Sequence, residues 1–487
     1  MKTSIGAILG LLAVLSTAGV SSAPAPAWRA DATRMVHDAR FLEAEDLAAR
    51  AGEREHGPAP AFFRALAAYW RLLYDPDDPG LQADFDARLR RAIRDAEDRL
   101  EAAPGDAEAW MFAGTSRLFL AELRARQRHP LTAARELRRA RHALESAISL
   151  DPAQADARFG LGTLDVVAGR APSLARGFAS LLGVAGNPDR GLASLAVASR
   201  DGKILALESS ISLLTVHSNR RAPDYVEAER TARELAARSQ SVGALDAAAR
   251  VLLSLGDADR AAGLLDAALE RLRAAPRSDP GVAAALRCAR ARVRLAQLRP
   301  DLALEDLRWV ASLPATLPQG VREDSAELLR DAAAGGARPS WLPDVAARLG
   351  AVLPDDRATL EAAASFARAV PDLESSGADS PAELAGRLAE LAASAPDDAV
   401  LAALAGKASL EAGRVEDARR WLDRASSSDR LPRPWTGPSL LLAGMAADLD
   451  GDRASALALY RRAAEAPAFA SRAAAAALQE RPHRTVP

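Results

Sequence analysis

The sequence predicts an all-α solenoid built from helix–turn–helix repeats. Three observations carry that expectation. Alanine supplies 116 of the 487 residues and, with leucine, arginine and glutamate, leaves few β-branched or aromatic residues, which favours helix almost throughout. Pairs of small residues recur along the chain, each followed by a Gly-Asp or Gly-Arg step and then by another small residue. The hydrophobic fraction of 49% is too high for a disordered chain.

The same composition excludes several functions. A net charge of -2 with a pI near 6.4 lacks the basic excess of a nucleic-acid binder. The single cysteine, Cys288, rules out a disulfide framework and any multi-cysteine zinc site. Arginine supplies 60 of the 63 basic residues, a bias that reflects a GC-rich genome rather than a function.

Residues 1–27 read as a secretory signal peptide. Lys2 provides the positive start, Ile5 to Val20 an uncharged apolar stretch, and small residues follow it. Cleavage after Ala27, with Ala25 at the other small position, avoids the proline that follows Ala23. The stretch is shorter than the roughly 20 residues of a spanning helix. No cysteine near the cut invites a lipid, and no later segment reaches spanning length without charges. The mature chain is therefore expected outside the cytoplasm, periplasmic or extracellular, with no integral membrane span.

Internal repeats organise the rest. Ala399 to Arg430 carries Gly406, then Gly413-Arg414-Val415-Glu416-Asp417-Ala418, then Leu422 and Ala425. Gly437 to Ala468 repeats this with Ala443-Gly444, Gly451-Asp452, Ala456, Tyr460 and Ala463. Val242 to Arg273 is a third copy, with Ala248-Ala249, Gly256-Asp257, Ala261, Leu265 and Ala268. Small residues midway along the first helix let the second approach closely, and glycine takes the left-handed conformation of a helix C-cap. Large residues four positions on fill the space between units.

This pattern resembles the tetratricopeptide repeat, a helix–turn–helix unit of 34-residue period. A fourth copy reads as split: Trp110, Ala113 and Gly114 match the first helix, and Ala140, Leu144, Ala147 and Pro152 the second, with about 14 extra residues around Leu123 to Leu137. The next unit opens at Leu161-Gly162, with an irregular stretch in place of its second helix. A weaker copy covers Ala284 to Pro314. The expected layout is a helical repeat region at 28–315 containing the split repeat at 107–152, an irregular helical connector at 316–381, and C-terminal repeats at 382–487. Asp372 to Pro381 and Leu431 to Pro438 read as loops. The run from Gly160 to Gly202 is also similar to a pattern in exported bacterial repeat proteins, and neither resemblance implies a reaction.

No chemistry stands out. The six histidines are scattered, with no pair at the four-residue spacing of a helical zinc site. Gly202-Lys203 is similar to the end of a phosphate loop, but Val197 stands where that loop needs glycine. Asp448, Asp450 and Asp452 hint at a calcium loop, yet Arg453 and Leu459 occupy its required glycine and glutamate positions. Cys288 reads as a buried small hydrophobe. No cofactor and no metal are expected.

One charged stretch is conspicuous. Arg117, Arg124, Arg126, Arg128, Arg135, Arg138, Arg139 and Arg141 stand against Glu122 and Glu136. They read as a solvated helical face; a site for an acidic partner or an anionic membrane surface is the alternative.

The family resemblance implies a concave groove lined by first helices. Carried across, its positions include Met111, Thr115, Phe159, Thr163, Arg250, Lys407 and Met445. The resemblance thus implies a non-enzymatic scaffold in the cell envelope, binding a protein or peptide on a pre-organised surface. A helical-toroid hydrolase acting on polysaccharide or peptide is one alternative, and 4% aromatics argues against its sugar-stacking form. A self-assembling structural solenoid is the other.

Overall fold

A computed structural model describes residues 26–170, 186–219, 223–313, 317–375, 380–466 and 469–484. These contain 23 helices and no strand. Successive helices form pairs: Ala27–His37 with Phe41–Gly52, Ala59–Tyr74 with Pro79–Ala102, Ala107–Arg126 with Pro130–Leu150, and Ala155–Arg170 with Pro188–Asp201. The middle of the chain continues with Ala206–His217 and Tyr225–Arg238, Val242–Ser254 and Ala258–Arg273, and Pro280–Ala296 and Pro300–Ala311. Gln319–Ala334, Leu342–Leu349, Arg357–Ser375 and Pro381–Ser394 follow. Ala399–Glu411 with Val415–Ser426, Arg433–Leu449 with Arg453–Glu465, and a last helix at Phe469–Glu480 complete the chain.

Local chemistry explains these boundaries. Aspartate N-caps accept backbone N–H bonds at Asp78, Asp106, Asp257, Asp398 and Asp452, and Ser380 forms a capping box with Glu383. Gly413 and Gly451 end their helices at φ 71° and 82°, the left-handed conformation the repeat pattern demands. Small residues then set the helix crossings. A Cβ at Gly406 would lie 2.5 Å from Leu422 Cγ, and one at Gly114 would lie 2.6 Å from Leu144 Cγ. Leu144 fills notches at both Gly114 and Gly160, tying one pair to the next.

Four expectations about local structure change. The split repeat has no inserted loop, because Ala107–Arg126 and Pro130–Leu150 are 20 and 21 residues long and absorb the extra length as added turns. The turn between them is closed by Arg128 at φ 60°. The unit beginning at Leu161-Gly162 has a second helix, Pro188–Asp201, capped by Asn187 and packed at Gly162 against Leu195. The irregular part, 171–185, lies outside the described residues. Leu431 to Pro438 is not a loop throughout, since the Arg433–Leu449 helix begins within it and carries Pro438 internally. The Arg357–Ser375 helix likewise runs into the loop placed at Asp372 to Pro381 and holds Pro371. The signal-peptide reading falls on residues outside those described, apart from Pro26 and Ala27. Among the described residues no helix is long and apolar enough to cross a membrane.

The solenoid does not stay open. It winds so that its first and last helices both rest on the middle ones. Ala27–His37 and Ala59–Tyr74 reach Val242–Ser254 and Pro280–Ala296, and Arg433–Leu449 and Phe469–Glu480 reach the same two helices from the other side. Trp70 is the wedge of the first closure. Its ring packs on the Gly243 backbone, and its Nε1 donates to Glu208 Oε1 at 2.8 Å, which also meets His37 Nε2 at 3.1 Å. Arg271 adds a two-pronged contact to Asp38, at 2.6 and 2.7 Å. In the second closure the Met445 methyl lies over Gly256, Trp435 Nε1 donates to the Gly335 carbonyl at 3.0 Å, and Arg481 pairs with Glu229.

Candidate functional site: a chamber where the superhelix closes

The helices that meet at the closure do not fill the space between them. One cavity of about 650 Å³ lies between Val242–Ser254, Pro280–Ala296, Gln319–Ala334 and the C-terminal helices. Its walls are largely apolar, with Ala249, Leu253, Val293, Leu328 and Pro438, and its polar groups are Arg250, Arg292, Glu327, Asp331 and Arg472. A second cavity of about 530 Å³ is lined by Trp70, Tyr74, Leu214, Asp246, Cys288, Val321 and Asp324. Arg250 and Arg292 line both cavities, so they stand where the two compartments adjoin.

The charged groups are unevenly satisfied. Arg250 Nε donates to Asp246 at 2.8 Å, and this carboxylate holds the guanidinium above its ordinary pKa. About half of the Arg250 side chain, 49% of its surface, stays accessible, and the residue lines the cavity. One terminal nitrogen of Arg292 donates to Asp324 at 3.1 Å. Neither Glu327 nor Asp331 takes a side-chain hydrogen bond or an ion pair among the described residues. Burial, reinforced by Glu327, pushes Asp331 up to about 6. Burial also raises the phenol of Tyr74, and it pushes the Cys288 thiol up to about 11 despite the Ser325 hydroxyl 3.2 Å away. Cys288 is thus an inert wall residue.

The positions expected from the groove pattern are not brought to one surface. Met111, Thr115, Phe159 and Met445 are buried in helix packing, each 4% exposed or less. Thr163 is half-buried, with its hydroxyl unpartnered. Lys407 is engaged by Glu411 one turn on. Only Arg250 of the set lines the chamber. Arg292, Glu327 and Asp331 carried no signal in the sequence, because the groove pattern describes one unit at a time and the chamber joins units far apart in the chain.

Other suggestive residues have structural partners. Asp156 accepts the backbone N–H groups of Lys203, Ile204 and Leu205 at 2.8–3.2 Å, so the turn that looked like part of a phosphate loop already holds a carboxylate of the chain itself. Asp448 accepts from Arg453 and Tyr460, while Asp450 and Asp452 pair with Arg419. In the arginine-rich stretch Arg117 engages Glu97 and Glu136, Arg124 engages Asp86, and Arg141 reaches Asp165, leaving Arg128, Arg135 and Arg138 exposed.

The fold and the chamber together define a tetratricopeptide-like α-solenoid whose ends meet its middle around a partly open cavity. No family model and no curated protein matches the chain. Among solved structures, the TPR domain of P58(IPK) aligns over 86% of this chain and 97% of that chain, at 12% identity and a TM-score of 0.23. The structure of Naa15/Naa10 bound to HypK-THB aligns over 89% of this chain and 62% of that chain, at 13% identity and a TM-score of 0.21. Neither superposition is close enough to bear on function; the repeat assignment rests on the helix pairs and glycine notches.

Proposed function

We propose that this protein is an exported, non-enzymatic interaction scaffold that receives a short extended segment of a protein partner in the central chamber. The observation that carries the reading is the chamber itself, about 650 Å³ with apolar walls and charged groups that the chain leaves unsatisfied. Pockets of this size and character enclose ligands of a few hundred daltons or a short stretch of chain.

A chamber-filling variant, Ala289→Trp, tests this. The chain from residue 28 onward is screened for binding to short peptides by fluorescence anisotropy. Saturable binding that Ala289→Trp abolishes while circular dichroism stays unchanged supports the proposal; binding indifferent to the filled chamber overturns it.

A hydrolase is the second reading, favoured by Glu327 and Asp331 standing one helical turn apart with Asp331 raised to about 6. Among the described residues no aromatic ring lines their compartment. Cleavage of peptide probes, with loss in Asp331→Asn, identifies this case.

A further inference from the structure

We infer that the chamber recognises a dipolar peptide segment, placing an anionic group on Arg250 and Arg292 and a cationic side chain on Glu327 and Asp331. The inference deepens the reading above and rests on it. It starts from hydrogen-bonding capacity. A guanidinium has five N–H donors in a planar fork. Arg250 spends only its Nε on Asp246, and Arg292 spends one terminal nitrogen on Asp324. The remaining donors of two guanidiniums, from two different helices, are left where the compartments adjoin. A guanidinium fork with donors to spare can take a carboxylate or phosphate bidentately.

The opposite charge stands on a third helix. Glu327 and Asp331 project from Gln319–Ala334 into the same cavity with no partner in the described chain. Facing Asp331 are Glu327 and Arg330 on its own helix and Arg292 across the cavity, and Arg472 of the last helix lines the same compartment. Among the described residues Arg292 pairs with Asp324 and forms no ion pair with Asp331. Leu253, Val293 and Leu328 supply apolar wall in the same cavity. An occupant with an acidic group, an apolar middle and a basic group satisfies every one of these surfaces at once. A purely apolar segment would cover these charged groups and leave Glu327 and Asp331 without a counter-charge, which is costly.

Binding of the cation carries a second signature. Asp331 holds a proton below pH 6 and must release it to pair with an incoming ammonium, so occupancy expels protons near that pH.

The test uses the peptide acetyl-Glu-Leu-Ala-Leu-Lys-amide and two analogues in which glutamine replaces either the glutamate or the lysine. Affinities are measured by calorimetry at pH 6 in two buffers of different ionisation enthalpy. Each neutral replacement is expected to weaken binding on the order of tenfold, the worth of one charge-assisted hydrogen bond. Arg250→Gln should erase the penalty for losing glutamate while keeping that for losing lysine, and Asp331→Asn should do the reverse and abolish proton release. Equal affinity for all three peptides, or no binding by any, overturns the inference. Charge-independent binding that Ala289→Trp still abolishes overturns it while leaving the chamber reading intact.

Discussion

The Asp331→Asn substitution should stabilise the protein at neutral pH, and by an amount that depends on pH in a defined way. Burial raises the Asp331 carboxyl from an ordinary 3.8 to about 6. A difference of about two units corresponds to roughly 3 kcal/mol at 1.36 kcal/mol per unit. Access of cavity water and the neighbouring charges reduce this, so about 1–3 kcal/mol is expected. The sign follows from proton counts. Between about pH 4 and 6 the folded protein binds more protons at this site than the unfolded chain does. Stability contributed by the site therefore falls as pH rises through that window and stays low above it. Asparagine carries no charge to desolvate and removes the fall. Several carboxylates shift the other way, Asp165 and Glu43 among them, held down by hydrogen bonds from arginine that outweigh their burial. The absolute curve of either protein thus mixes opposite trends, and the difference between the two isolates Asp331. Urea denaturation at half-unit steps from pH 4.5 to 8 is the assay. The difference should grow in favour of the variant up to about pH 6 and then level off. Parallel curves across the whole range refute the argument that this carboxyl is buried without a partner.

Three further substitutions address the fold. Gly406→Ala puts a methyl 2.5 Å from Leu422 Cγ and 3.1 Å from the Leu422 backbone nitrogen, a clash the side chain alone cannot relieve. It should cost about 1–3 kcal/mol, with part recovered in the Gly406→Ala, Leu422→Ala double variant. Additive losses in urea denaturation would show that the two residues do not share a crossing. Arg128→Gly relieves a left-handed residue at φ 60° on an exposed turn and should raise stability by up to about 1 kcal/mol; a drop in the thermal midpoint contradicts that reading. Trp70→Phe keeps most of the ring against Gly243 but removes the donor to Glu208, which is 4% exposed. The expected loss is about 1–3 kcal/mol, together with faster hydrogen exchange in Ala27–His37 as the first closure loosens; exchange unchanged in that helix would place the closure elsewhere.

What the sequence made legible was the unit, and what it concealed was the assembly of units. Gly406, Gly413, Gly444 and Gly451 announce two repeats because their close approaches and turns leave no other residue an easy place. Where the chain uses another residue for the same turn, the signal vanishes. Ala39, Arg128 and Leu298 hold the left-handed conformation between Ala27–His37 and Phe41–Gly52, in the lengthened repeat, and before Pro300–Ala311, at φ 56–60°. Arg128 falls in the split copy and Leu298 in the weaker copy at Ala284 to Pro314. The groove positions suffered from a different limit. Met445 sits where a groove residue belongs within its own unit, but its methyl meets Gly256, nearly 190 residues earlier in the chain. Nothing within one repeat encodes that contact. Trp70 against Gly243 is the same case, as is Glu229 with Arg481.

The alanine content that first pointed to helices also explains why the chamber exists. Alanine at the crossings lets helix axes approach closely, so the superhelix is tight enough for its ends to reach its middle. A superhelix that tight, filled with leucine at its centre, would become a solid core like the rest of the protein. Along the chamber the inward positions hold Arg250, Arg292, Asp324 and Asp331 instead. Their long or charged side chains pack along the walls by their stems and keep their ends in the open space, because burying those ends against leucine costs several kcal/mol each. Replacing Asp331 by leucine should close the cavity in part and raise stability while abolishing any ligand uptake. Stability gained at the expense of binding is the mark of residues kept for a ligand.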